Sequence, residues 1–188
     1  MAQKIVAGNW KMNLDLNEKF ELAKELNMES VPEDVQAIIF PTSLYISDLS
    51  KEVKEIELGS QNFSDKGNGA FTGEVSITQL KSVGATIGLI GHSERRAYFQ
   101  ENNAFLKSKV GHAIKEDFKF IFCCGEPLMI REGGQELLFV KNQLEESLFH
   151  LSSEEMMQGI IAYEPVWAIG TGVTASTQQA EDMHKSIR

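Results

Sequence analysis

IVAGNWKMN, residues 5–13, is the stretch on which the architecture turns. Ile5 to Gly8 reads as a short β-rich strand, and Gly8 is followed by Asn9, Trp10, Lys11, Met12 and Asn13. A dinucleotide-binding sheet would place a glycine-rich turn directly after its first strand, so that backbone amides could approach a pyrophosphate. No such turn is present. The strand end instead carries an ammonium, Lys11, beside Asn9. This is either a surface lysine next to a packed tryptophan or a working group. The strand-end placement keeps the second reading competitive, because a closed (β/α)8 barrel builds its chemistry on that edge.

Working outward, the same alternation repeats: a β-rich run, a turn, an amphipathic helical pattern. The strand candidates are Ile5 to Gly8, Val35 to Phe40, Ile56 to Gln61, Thr86 to Ile90, Phe118 to Cys123 and Gly159 to Tyr163. Between them Leu16, Phe20, Ala23 and Leu26 follow helical spacing, as do Leu106, Val110 and Ala113, and Leu137, Val140, Leu144 and Leu148. Helix starts are marked by capping-box pairs, Ser76 with Gln79, Ser152 with Glu155 and Ser176 with Gln179, and Gly84 suits a helix end. Strand, helix, strand in this rhythm implies parallel pairing with right-handed crossovers, so the class is α/β.

Composition bounds the function. The chain has 188 residues and a formal net charge of −9, which on average repels nucleic acid and anionic lipid surfaces. It has no apolar run long enough to span a bilayer, and its opening residues lack the ordered sections of a signal peptide; a cytoplasmic protein is expected. Cys123 and Cys124 are adjacent, a spacing that suits neither a disulfide framework nor a zinc site, and they read as reduced core thiols.

Two further strand ends carry chemistry. Ile160 to Ala162 is a two-sided apolar strand that delivers Tyr163 and Glu164 to its end, where Pro165 stops ladder pairing. The apolar run Val166, Trp167, Ala168 and Ile169 follows, then Gly170, Thr171 and Gly172. This is either a lid hinged at Pro165 beside a carboxylate base, or a loop packed on the core with Glu164 solvated. At the end of the fourth strand, GHSERR places His92 against a helix start, with Ser93 as the expected cap; the unpaired amides there favour a neutral imidazole. The long polar loop from Asn62 to Glu74 bears Gly67, Gly69 and Gly73, with Phe71 at its tip and Thr72 beside it, and suggests docking into a partner.

The runs AGNWKMN, QNFSDKGNGAFTGEVS, IGHSERR, CCGEPLMIREGG and AYEPVWAIGTG, in this order and spacing, closely resemble the triosephosphate isomerase family. The resemblance implies a TIM (β/α)8 barrel with about six β/α units in this chain, residues 1–188 forming one incomplete barrel domain. It implies interconversion of dihydroxyacetone phosphate and glyceraldehyde 3-phosphate, with no metal or organic cofactor. By the same resemblance Glu164 is the base, His92 polarises the carbonyl, Lys11 and Asn9 support the negative charge, and Glu94 orients Lys11. The segment Pro165, Val166, Trp167, Ala168, Ile169, Gly170, Thr171 and Gly172 is the lid, with the Gly170 amide on the phosphate. The loop with Phe71 and Thr72 implies a homodimer, and Cys124 stands where the family usually carries an aliphatic residue. A barrel of this type runs to about 250 residues, so two strands are expected beyond Arg188. The alternative expectation is a catalytically silent fragment whose sheet edge and Phe71 loop serve only for association.

Overall fold

The computed structural model describes residues 4–170 and 172–188. It contains six strands: β1 (Lys4–Asn9), β2 (Val35–Phe40), β3 (Glu57–Ser60), β4 (Ile87–Ile90), β5 (Lys119–Cys124) and β6 (Gly159–Tyr163), each bounded within one residue of its expected run. The chain forms two compact units, Met1–Leu89 with Lys115–Lys119, and Ile90–Ile114 with Phe120–Arg188.

In the first unit the strands run parallel in sequence order. Lys4 to Asn9 lies alongside Val35 to Phe40, Ile38 pairs with Glu57, and Gly59 pairs with Ile87. Parallel neighbours need long crossovers, and helices supply them: α1 (Leu16–Met28), α2 (Ile46–Glu52) and α3 (Ile77–Ser82). The Ser76–Gln79 capping box forms as expected, and Gly84 follows α3 with its N–H on Lys81 O. A further box, Asp15 with Glu18, starts α1. Ile38, Phe40, Ile46, Leu49, Ile77 and Leu80 make the core, and Phe63 meets Phe118 edge-on at 5.7 Å.

One expected face is corrected. In α1 it is Lys19, not Phe20, that is fully buried, while Phe20 is 37% exposed. The ammonium reaches Glu52 of α2 at 3.3 Å and Asp48 at 3.8 Å. A buried charge is tolerated only when paired, and α2 brings the carboxylates to it.

In the second unit, β5 and β6 run parallel from Phe120 opposite Gly159 to Cys124 opposite Tyr163. The helices are α4 (Ser93–Tyr98), α5 (Asn103–Lys115), α6 (Leu128–Glu132), α7 (Glu136–Leu148), α8 (Ser153–Met156) and α9 (Thr177–Ile187). The Ser152–Glu155 and Ser176–Gln179 boxes both close. Leu106, Val110 and Ala113 of α5 are fully buried, and α7 buries Val140, Leu144 and Leu148 but leaves Leu137 half exposed. Full burial of such side chains contributes about 1.5–3 kcal/mol each.

Candidate active site

In the first unit the end of β1 is held by local hydrogen bonds. Asn9 Oδ1 accepts the Lys11 N–H at 2.9 Å, and the Trp10 N–H reaches Phe40 O at 3.1 Å. Lys11 adopts φ +53°, the left-handed region that costs a side-chain-bearing residue about 1–2 kcal/mol. The clamp that sustains it comes from the residue after β3. Gln61 Nε2 donates to Lys11 O and to Phe40 O, each at 2.8 Å. Sequence reasoning did not single out Gln61, because its partners lie 50 and 21 positions away.

In the second unit β4 gives way to Gly91, at φ +74°. A Cβ there would stand 2.9 Å from Leu106 and 3.2 Å from Cys123 O, so only glycine lets the chain turn so close to β5. His92, 8% exposed, is itself the N-cap of α4, where Ser93 was expected: its Nδ1 accepts the Glu94 N–H at 3.2 Å. A ring nitrogen that accepts an amide N–H presents its lone pair there, which leaves Nε2 as the ring's donor. The Glu94 carboxylate lies 3.7 Å from Nδ1, beyond hydrogen-bond reach, and leaves that assignment intact.

Glu164 follows β6 and is exposed. Its N–H bonds Cys124 O at 3.0 Å. Gly125 makes this approach possible, since a Cβ at that position would meet Glu164 O at 1.8 Å. The result is a cavity of about 240 Å³ lined by Gly91, Ser93, Cys123, Phe139, Glu164 and Val166. The carboxylate thus shares one cavity with the chain segment that carries His92. Burial pushes the Cys123 thiol up to about 12, with the Glu164 charge adding to it; burial likewise takes Cys124 to about 12 against the opposing pull of Arg96. Both thiols are free and buried, as the sequence suggested.

The segment after β6 has an anchor that sequence reasoning missed. Val166–Ala168 form one 3₁₀ turn after Pro165. Glu126, fully buried, accepts Trp167 Nε1 at 2.9 Å, Tyr163 Oη at 3.0 Å and Arg131 Nη1 at 2.7 Å. The Val166 N–H reaches Glu126 O at 3.2 Å. Burial, then the Glu126 charge, raises the Tyr163 pKa, keeping the phenol protonated as a donor. Gly170 and Gly172 are exposed, whereas Thr171 lies outside the described residues. A carboxylate followed five residues later by an arginine, with Tyr163 and Trp167 in the neighbouring motif, is the signal that points to Glu126.

Parallel strands joined by helices, with Lys11 following β1, His92 following β4 and Glu164 following β6, are the pattern of an α/β barrel enzyme, a class whose chemistry lies at strand ends. The family model described as triosephosphate isomerase matches residues 4–188. Among curated relatives, the triosephosphate isomerase of Cytophaga hutchinsonii is 49% identical, covering 100% of this chain and 76% of the relative. That of Amoebophilus asiaticus is 44% identical over 100% of this chain and 77% of the relative. That of Leptospira interrogans is 41% identical, with the same two coverages. The chain belongs to the triosephosphate isomerase family, a family of isomerases with the TIM-barrel fold.

Proposed function

We propose that this chain interconverts dihydroxyacetone phosphate and glyceraldehyde 3-phosphate through an enediolate. The Glu164 carboxylate takes the proton from the carbon next to the carbonyl. The C–H electron pair becomes the C=C bond, and the carbonyl oxygen takes up the negative charge. His92 Nε2–H donates to that oxygen, and the ring relays the hydroxyl proton of the adjacent carbon to it. Glu164 then returns its proton to the former carbonyl carbon, the C=C pair forming the new C–H bond while a lone pair on the deprotonated neighbouring oxygen closes the new carbonyl. The observation that carries the reading is His92 Nδ1 accepting the Glu94 amide, which commits Nε2 as the donor. A neutral donor fixed before the reaction stabilises charge as it develops without reorganising.

Lys11 supplies positive charge to the substrate, with Asn9 beside it and Glu94 orienting it. Pro165 to Gly172 closes over the phosphate, with the Gly170 amide as a contact, and keeps water from the intermediate. No metal or organic cofactor enters this scheme. The loop carrying Phe71 and Thr72 docks against a second copy in a homodimer, and the two free thiols suit a reducing cytoplasm.

The test is isomerase turnover of glyceraldehyde 3-phosphate by the protein and by its Glu164→Gln variant. The protein should turn over, and the variant should lose about 10²–10⁴-fold in kcat with KM little changed. A large rise in KM with kcat intact would remove Glu164 from the role of base.

A further inference from the structure

Arg96 lies on α4, one turn beyond His92, and bonds to three acceptors from three places in the second unit. Nε donates to Gly91 O at 2.8 Å, Nη1 to Asn103 Oδ1 at 2.8 Å and Nη2 to Cys123 O at 3.1 Å. All three acceptors are neutral. The adjacent Arg95 differs: its Nε pairs with the Glu101 carboxylate at 2.8 Å. Burial lowers the Arg96 pKa, the sign of a cation withdrawn from water without a bonded carboxylate to offset the cost. A guanidinium placed only to hold a fold together would be expected to find a carboxylate, as Arg95 does.

The particular carbonyls matter. Gly91 O belongs to the peptide that enters His92, so the first bond fixes the plane from which the imidazole is hung. Cys123 pairs with Ala162 in the β5–β6 ladder, and the next carbonyl, Cys124 O, receives the Glu164 N–H. The guanidinium also lines the cavity onto which Glu164 faces. Its rigid fork meets both carbonyls at once, which an ammonium cannot do with the same geometry.

We infer that Arg96 is a positioning residue for the isomerisation, one guanidinium that sets His92 and Glu164 relative to each other by bonding the carbonyl that leads into His92 and the β5 carbonyl one residue before the one that holds the Glu164 N–H. The inference rests on the isomerase reading above. A misplacement of about 1 Å between reacting groups costs on the order of 10²-fold in rate, so the role predicts a defect in turnover rather than in substrate affinity.

The test compares Arg96→Lys with the parent protein, using steady-state kinetics on glyceraldehyde 3-phosphate and ¹⁵N NMR of the histidine side chains, His92 being assigned through a His92→Asn variant. Arg96→Lys is expected to lower kcat about 10- to 100-fold with KM within twofold, and to move the His92 Nδ1 and Nε2 resonances. Leu148→Ala, a core substitution on α7 that lowers Tm, should leave kcat unchanged. Unchanged kcat and unmoved His92 resonances in folded Arg96→Lys would overturn the inference, as would an equal kcat loss in Leu148→Ala. Should Arg96→Lys not fold by circular dichroism, Asn103→Ala decides: it removes one acceptor and should lower kcat several-fold while shifting His92, and no change in either overturns the role. An inactive parent protein would refute the isomerase reading instead, and the His92 resonances of Arg96→Lys would still decide whether Arg96 positions the ring.

Discussion

At the scale of single residues, Glu126 has the most to hold. One buried carboxylate takes the Arg131 guanidinium, the Tyr163 hydroxyl and the Trp167 indole, and the last of these lies in the 3₁₀ turn after Pro165. Replacing it with alanine leaves a guanidinium and two polar donors without their acceptor. Such a truncation of a buried pair costs about 3–5 kcal/mol. Glu126→Gln keeps the shape and one acceptor oxygen but removes the charge, so the loss in urea unfolding should be smaller, with Trp167 fluorescence shifted because its N–H partner has weakened. Unfolding free energies of Glu126→Ala and Glu126→Gln that both match the parent would show the anchor contributes nothing. Glu164, His92 and Lys11 were visible in the sequence as candidates because each ends a strand pattern of its own. Glu126 and Gln61 were not, since their partners are 5 to 50 positions away and meet them only once strands are in register.

At the scale of elements, β5 combines burial with titratable groups. Both thiols are held near 12, against about 9 in the unfolded chain, so the fold favours their neutral form. Below pH 9 both states keep the thiols protonated and the stabilisation is complete. As the pH climbs from 9 towards 12 the unfolded chain releases protons that the folded one keeps, and stability falls. Urea midpoints should therefore drop steadily above pH 9, and Cys123→Ala with Cys124→Ala should flatten the slope even though it lowers the plateau. A slope identical in the double variant would exclude the thiols as its source. The same burial predicts slow alkylation by iodoacetamide at pH 8 until the chain is unfolded.

The elements themselves were almost entirely readable. Strand ends matched because each apolar run is closed by a glycine, proline or polar turn, and the helix starts matched because a capping box is a local device. The cap of α4 went to His92 instead of Ser93 because an imidazole nitrogen can accept the same amide that a hydroxyl would. The face of α1 was misread for a different reason. Helical spacing counts apolar residues, whereas Lys19 is buried by carboxylates on α2 that no pattern within α1 reveals.

At the scale of the whole molecule, two features act in opposite directions on association. The formal charge of −9 makes copies repel, most strongly at low ionic strength. The loop from Asn62 to Glu74, by contrast, is built to hold an apolar tip in water. Ser64 N–H bonds Val75 O at 2.9 Å across its base, Ser76 Oγ meets Asn68 Oδ1 at 2.5 Å, and Phe71 remains 44% exposed. Burying one phenyl ring contributes about 1.5–3 kcal/mol, and a two-fold dimer buries two. Loss of both in Phe71→Asp should then weaken the dimer by about 3–6 kcal/mol, or roughly 10²- to 10⁴-fold in Kd. Sedimentation equilibrium should show a species of twice 21.0 kDa for the parent protein, tighter at higher salt because the repulsion is screened, and a shift towards the monomer in the variant. A monomer at every salt and concentration would remove the homodimer from the proposal. A dimer indifferent to Phe71→Asp would move the interface away from this loop, since no contact centred on that ring could survive a buried, unpaired carboxylate in its place.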